Sequence, residues 1–256
     1  FELAVSCFSD AIGLKPDFAE AYCGRARALF ERGDPDKAIA DFGEAIRLSP
    51  EQPDAFHGRG RALATKGDFD KAIADYTESI RLAPGHARSY CGRGMAFVMK
   101  GDVDAAIADC TEAIRLEPCE HAFYNRGRAF AKKGERDKAI GEYSKALELD
   151  PKRANAWYYR GLAFAEKGEC DKAIADYSQA LELEPKDEMN WNARGLAFAS
   201  KREYDKAIAD YSKALELNPK YAMAWNNRGL AYENKGEFDK AIAEYSKALA
   251  LDPKCT

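Results

Sequence analysis

Residues 154–187 read ANAWYYRGLAFAEKGECDKAIADYSQALELEPKD, and the fold follows from this stretch. Trp157, Arg160, Gly161 and Phe164 recur at helical spacing and share one face of a first helix. Gly168 interrupts the periodicity, and Glu169 stands where it can cap the next helix. Ala173, Tyr177 and Ala180 come next at intervals of four and three, the apolar stripe of a second helix. Pro185 stops that helix and starts a link. The stretch is a helix–turn–helix unit.

The same unit recurs along the whole chain. Prolines stand at Pro16, Pro50, Pro84, Pro118, Pro151, Pro185, Pro219 and Pro253, separated by 34, 34, 34, 33, 34, 34 and 34 residues. Superposition on this period aligns an opening aromatic (Tyr22, Phe56, Tyr90, Phe123, Trp157, Trp191, Trp225). A second-helix alanine also aligns (Ala38, Ala72, Ala106, Ala139, Ala173, Ala207, Ala241). Four places later comes another aromatic (Phe42, Tyr76, Tyr143, Tyr177, Tyr211, Tyr245), with Cys110 as the exception. Asp34-Pro35 reads as an N-cap followed by proline at the first helical position. Small residues where helices approach and large ones between them predict hairpins stacked side by side, each covering the apolar face of its neighbour. The expected divisions are a lone second helix over 1–18 and repeats over 19–52, 53–86, 87–119, 120–153, 154–187, 188–221 and 222–256, in one continuous array.

This pattern of aromatic-x-x-x-Gly-x-x-aromatic, Ala-x-x-x-aromatic and proline resembles the tetratricopeptide repeat family over essentially every residue. The resemblance implies an all-α fold, a right-handed superhelical α-solenoid whose concave groove is lined by first helices. Seven repeats would make most of one superhelical turn. Two irregularities stand out. The interval of 33 removes one residue from the link around Cys119, and Arg202 takes the place of the turn glycine found at Gly33, Gly67, Gly101, Gly134, Gly168 and Gly236. A left-handed backbone at Arg202 would cost about 1 kcal/mol.

One departure from the family is systematic. Where it usually has leucine before the first glycine, this chain has Arg25, Arg59, Arg93, Arg126, Arg160, Arg194 and Arg228. Sixteen residues after each comes an acid: Asp41, Asp75, Asp109, Glu142, Asp176, Asp210 and Glu244. In a hairpin whose turn is centred near the sixteenth place, the two stand at the same height. A ladder of ion pairs, one per repeat, is the favoured reading, because a buried unpartnered guanidinium is prohibitive. The competing reading is an arginine row that grips an acidic ligand.

Composition narrows the function. Charged residues make up 32% of the chain, yet the signs alternate closely and leave a formal charge of −4, which argues against nucleic acid as a partner. No run approaches the roughly 18 apolar residues of a membrane span. The seven cysteines Cys7, Cys23, Cys91, Cys110, Cys119, Cys170 and Cys255 are irregularly spaced and form no CxxC pair. They read as the reduced thiols of a cytoplasmic protein. Gly58-Arg59-Gly60 and Gly92-Arg93-Gly94 lack the third glycine and the preceding strand of a dinucleotide site. His57, His86 and His121 are scattered; Cys119 and His121, two apart, make a thiol–imidazole pair or metal site conceivable but bring no further ligands. The expectation is therefore no catalytic residue, no metal and no cofactor: the chain is not an enzyme.

If the family's groove carries over, its lining comes from the second, fifth, sixth, ninth and thirteenth places of each first helix. In the first four repeats these supply Arg27, Arg61, Arg88, Arg128 and Lys132, with His57, His121, Tyr124 and Asn125, against Glu20, Glu31 and Asp54. The last three supply Asn155, Asn192, Asn226, Asn227 and Asn234 with Tyr158, Tyr159, Leu162, Leu196, Leu230, Met189 and Met223. Glu166 and Glu233 are the only acids there. Asparagine can pair with any peptide backbone, and Tyr and Met give adaptable apolar contact. The expected ligand is an extended peptide, its acidic part toward Arg61 and Arg128 and its apolar part toward Tyr158 and Leu196. Family members that clamp chaperone C-termini use lysine at the fifth place and asparagine at the ninth; both are absent here, although Asn125 and Asn227 match the clamp's middle asparagine. The asparagine ladder of the O-linked N-acetylglucosamine transferase repeats is matched only in part. Two functions follow: a stand-alone scaffold for protein–protein interaction, or the substrate-recruiting region of a larger enzyme whose catalytic domain lies outside this chain. The start at Phe1 looks like a cut inside a longer protein, and the lack of a polar capping helix predicts apolar ends and end-to-end self-association.

Overall fold

The computed structural model describes residues 1–253, which form fifteen helices and no strand. Cys255 and the end of the last repeat lie outside the described residues. The chain divides into two compact units, Phe1–Lys133 and a second beginning at Gly134. The first holds α1 (Glu2–Leu14), α2 (Ala19–Glu31), α3 (Pro35–Leu48), α4 (Pro53–Thr65), α5 (Phe69–Leu82), α6 (Ala87–Lys100), α7 (Val103–Leu116) and α8 (Glu120–Lys132). The second holds α9 (Arg136–Leu149), α10 (Ala154–Glu166), α11 (Cys170–Leu183), α12 (Glu188–Ser200), α13 (Tyr204–Leu217), α14 (Ala222–Asn234) and α15 (Phe238–Leu251).

Helices of 13 or 14 residues are marginal alone, so packing must supply their stability. Within each unit every helix packs on the next in sequence. First helices also touch the first helix of the following repeat: α2 with α4, α4 with α6, α6 with α8, and then α10 with α12, α12 with α14. No such contact joins α3 to α5 or α11 to α13 among the described residues. The chain is an all-α solenoid of helical hairpins.

The repeated alanines are the contact points. Ala38, Ala72 and Ala106 in the first unit, and Ala139, Ala173 and Ala207 in the second, are fully buried. The aromatics four places on fill the space beside them. A Cβ added at Gly60 would come within 3.0 Å of the Tyr76 ring, and one at Gly92 within 2.6 Å, so this ring sits between glycines of successive first helices. At the hairpin turns, Gly33, Gly67, Gly101, Gly134, Gly168 and Gly236 all have φ between +78° and +93°, and Arg202 has φ +62°. The next amide returns to a carbonyl five residues back, as in Glu169 N–H to Phe164 O (2.9 Å) and Glu203 N–H to Phe198 O (2.9 Å), so the turn closes identically with arginine or glycine.

Capping differs from the sequence expectation. Glu169 and Asp34 do occupy N-cap positions, but neither side chain bonds a backbone amide. Lys167 and Lys172 take the Glu169 carboxylate at 2.8 and 2.6 Å, and Arg32 takes that of Asp34. An adjacent cation outcompetes the helix terminus for the charge. Asp187 does cap, accepting from Met189 N–H at 2.9 Å.

The arginine ladder is built into the stack. Paired hydrogen bonds of 2.6–2.9 Å join Arg25 to Asp41, Arg59 to Asp75 and Arg93 to Asp109 in the first unit. In the second, Arg160 meets Asp176 and Arg194 meets Asp210 in the same way, and Arg228 meets Glu244 at 2.8–2.9 Å. A further arm reaches backward. Nη1 of Arg25, Arg93, Arg160, Arg194 and Arg228 donates to the hydroxyl sixteen residues earlier, on Ser9, Thr77, Ser144, Ser178 and Ser212. Each hydroxyl in turn donates a hydrogen bond to the carbonyl four residues before it, as Ser178 does to Ile174 (2.7 Å). The guanidinium also faces the opening aromatic, 4.7 Å from the Trp157 ring centre for Arg160. One arginine therefore joins the two helices of its own hairpin and the second helix of the hairpin before.

Candidate functional site

The five rows proposed for the groove separate by burial. Residues at the second, ninth and thirteenth places of the first helices are open: Glu20, Asp54, Arg88, Asn155, Met189 and Met223 in the second, Arg27, Arg61, Leu162, Leu196 and Leu230 in the ninth, Lys132 in the thirteenth. Arg128 is half-buried. The fifth and sixth places turn toward the neighbouring first helix. Tyr124, Asn125 and Asn192 are buried there, and His57, Tyr158, Tyr159, Asn226 and Asn227 are half-buried.

These inward rows carry mutual contacts. Asn227 donates to Asn192 Oδ1 at 3.0 Å, and Asn125 donates to Cys91 Sγ at 3.7 Å. Tyr158 and Tyr159 meet edge to face with ring centres 5.2 Å apart, and Tyr159 lies against Tyr143 at 6.2 Å. Asn192 and Asn227, like Asn125, thus hold first helices to one another, whereas Asn155 stays exposed.

Two different open faces result. In the first unit Arg27 reaches Asp54 at 3.1 Å, and Arg61 reaches Glu31 at 3.5 Å while lying 4.8 Å from the Phe30 ring centre. Lys132 donates to the carbonyl of Val98 at 2.7 Å, and Arg128 reaches Met99 Sδ at 3.4 Å. Pairs this exposed contribute about 0–1 kcal/mol and can exchange partners. In the second unit the ninth-place row is three leucines, Leu162, Leu196 and Leu230, exposed by 36, 42 and 50%, and beside them Met189 and Met223 are exposed by 53 and 52%. An apolar row repeated in register on an open face marks an interaction surface more often than an isolated exposed leucine does.

A buried polar cluster lies behind the first unit's face. Ser79 and Ser89, where most repeats carry alanine, are fully buried and 2.8 Å apart. Ser89 Oγ also lies 2.6 Å from His86 Nδ1 and 3.1 Å from His57 Nδ1, and His86 Nε2 lies 3.5 Å from Asp54. Burial pushes His57 down to about 3 and lowers His86 as well. A carboxylate–histidine–serine series is present, but the hydroxyl is sealed and already shared among three neighbours. It is an interior network.

Tetratricopeptide repeat family models match residues 57–118 and 192–254, 26–67 and 127–168, and 154–187. The chain belongs to the tetratricopeptide repeat family. No curated protein matches it in sequence. Its tetratricopeptide fold is similar to that of a chain in the Cut9–Hcn1 hetero-tetramer of the APC/C, with a TM-score of 0.75 and 20% identity over 98% of this chain and 49% of that one. The chain thus spans about half the length of that relative. YrrB, described as a TPR protein with an unusual peptide-binding site, gives a TM-score of 0.58 at 23% identity, covering 72% of this chain and 95% of its own. A tetratricopeptide repeat protein from Parabacteroides merdae gives 0.66 at 18% identity, covering 91% and 93%.

Within this tetratricopeptide array, sequence periodicity located the helix faces but not the division of labour inside them. The fifth and sixth places lie on the groove side of a helical wheel, yet neighbouring first helices cover them. The hydroxyl sixteen residues before Arg25, Arg93, Arg160, Arg194 and Arg228 is readable in the sequence as a repeated Ser or Thr. His121, paired with Glu120, is exposed at the start of α8 and lacks the further ligands of a metal site; no group of three or more potential ligands occurs among the described residues. No described helix is long and apolar enough to cross a membrane.

Proposed function

We propose that this chain is a protein-interaction module that holds extended partner segments against the open faces of its first helices. The observation that carries the reading is the register of Leu162, Leu196 and Leu230, left exposed between two half- or fully buried rows. Their repetition at one place per hairpin suits a segment that crosses successive helices. The second unit's face fits an apolar segment, with Asn155 at its edge to pair with peptide backbone. On the first unit's face, Arg27, Arg61, Arg88, Arg128 and Lys132 suit an acidic segment, since a carboxylate-rich ligand can take over the weak pairs with Asp54 and Glu31. The chain acts by binding and does no chemistry of its own.

The test is fluorescence anisotropy with equal-length peptides, one acidic and apolar, one basic and apolar. Binding of the acidic peptide is expected, and Leu196→Asp should weaken it about tenfold or more, the loss of one central apolar anchor. Preference for the basic peptide, or binding indifferent to Leu196→Asp and to Leu162→Asp, rejects the reading.

A further inference from the structure

α15 repeats the face that α13 turns to the helix after it. The two sequences, YDKAIADYSKALEL in α13 and FDKAIAEYSKALAL in α15, differ at three of 14 positions. On α13 this face is covered by α14. Tyr211 and Ile208 pack with Ala231, and Leu215 packs with Ala224 and Trp225. Arg228 of α14 donates to the Ser212 hydroxyl at 2.8 Å, and Lys235 to the Asp205 carboxylate at 2.5 Å. On α15 the matching residues are bare. Leu249 is 46% exposed where Leu215 is 5% exposed, and Ile242, the counterpart of Ile208, is 63% exposed. Among the described residues no arginine reaches Ser246 and no lysine reaches Asp239, both of which are exposed.

We propose that this face of α15 binds an amphipathic helix of a partner protein that carries an arginine and a lysine seven residues apart. The α13–α14 contact is the template. Ala224, Arg228, Ala231 and Lys235 recur at intervals of four, three and four, so they share one helix face. The partner helix needs a small residue at the first and third of these places. There Leu249 and the Tyr245 ring close against it, as Leu215 and Tyr211 close against Ala224 and Ala231. Arginine at the second place meets Ser246, and lysine at the fourth meets Asp239. The helix lies antiparallel to α15.

Two observations assign the occupant. The polar groups left open, a carboxylate and a hydroxyl whose own proton goes to the Ile242 carbonyl (2.7 Å), are both acceptors, and they call for cationic donors. A second copy of this chain has no such helix to offer, because each of its first helices already lies against the second helix before it. Burial of Ile242 and Leu249 supplies the affinity, while the arginine and lysine fix register and direction. This surface is distinct from the open faces of the first helices, so the chain can hold an extended segment and a helix at once.

A labelled peptide with the sequence of residues 221–236, titrated with the intact chain and followed by fluorescence anisotropy, tests this. Saturable binding is expected. Ile242→Asp in the chain should weaken it about tenfold or more, since a charge then faces the apolar contact. Lys235→Glu in the peptide should weaken binding to the native chain about fivefold, and Asp239→Lys in the chain should restore it. Ile242 and Asp239 are both exposed, so the variants are expected to fold, which circular dichroism checks. Absence of saturable binding, equal affinity for Ile242→Asp, or no recovery in the charge exchange overturns the assignment. Self-association of the native chain in sedimentation velocity that Ile242→Asp abolishes would overturn it too, by giving the face to a second copy.

Discussion

Arg160 and Asp176 face each other through two parallel hydrogen bonds of 2.8 Å, Nε to Oδ2 and Nη2 to Oδ1, with both side chains largely buried. Their positions on α10 and α11 make this bond the clasp of one hairpin, and the third arm to Ser144 on α9 makes it a clasp between hairpins. Removing only the acid leaves a guanidinium enclosed without its counter-charge. Asp176→Ala is expected to cost about 2–4 kcal/mol in urea unfolding. Arg160→Leu combined with Asp176→Leu should recover much of that, since neither charge then remains. If Arg160→Leu leaves stability unchanged but removes peptide binding, the arginines serve the ligand and not the stack.

Arg59 marks a gap in the same system. The place held by Ser or Thr elsewhere is Gly43, and a Cβ built there would lie 3.8 Å from Arg59 Nη1, with room to spare. Gly43→Ser should therefore stabilise the first unit twice over. The helix gains by losing an interior glycine, about 0.5–1 kcal/mol, and Arg59 gains an acceptor worth about 0.5–1.5 kcal/mol. Gly43→Ala supplies the first contribution alone. Serine is about 0.5 kcal/mol poorer than alanine inside a helix, so the serine-minus-alanine difference in unfolding free energy measures the arm once that amount is added back; a corrected difference of zero or of opposite sign removes it.

Much of this was legible because a repeat offers seven readings of each position. The 34-residue period placed the hairpins, and the sixteen-residue offset placed each acid opposite its arginine. Side-chain identity at one position was a poorer guide. Asn125 and Asn192 look like ligand-reading residues on a helical wheel, and their burial depends on how closely the next first helix approaches. Glu169 was correctly placed at a helix start, but flanking Lys167 and Lys172 draw its carboxylate away. Such details are set by contacts between hairpins, where single-helix periodicity carries no information.

The turn at Arg202 can be tested against its six glycine counterparts. Its φ of +62° places the Cβ of an L-residue close to the following carbonyl, at a cost of about 1–2 kcal/mol. Glycine lifts that strain, though part of the gain is offset by its greater freedom in the unfolded chain. Arg202→Gly is expected to raise stability by about 0.5–1 kcal/mol, and Gly168→Ala, which imposes the same strain at φ +78°, to lower it comparably. Thermal or urea unfolding of the two variants measures both. Destabilisation by Arg202→Gly would mean that contacts of the arginine side chain outweigh its backbone strain.

His57 gives the first unit an acid sensitivity whose sign is fixed by burial. Its imidazole is enclosed by Tyr76, His86 and Ser89, and it stays neutral in the folded chain down to about pH 3, against an ordinary value near 6.5. Between those limits the unfolded chain binds the proton that the folded chain refuses. The stability due to a neutral His57 is thus fully present above about pH 6.5 and is lost progressively as pH falls toward 3, by up to about 1.4 kcal/mol per pH unit. His86, also lowered by burial, acts in the same direction, with Asp54 partly opposing it through attraction for the charged form. Unfolding midpoints measured from pH 7 to pH 4.5 should fall more steeply for the native chain than for His57→Gln, which keeps a polar group beside Ser89 but does not titrate. Equal slopes in the two proteins would show that His57 finds water or a counter-charge when the pH drops, contrary to the enclosed position found for it.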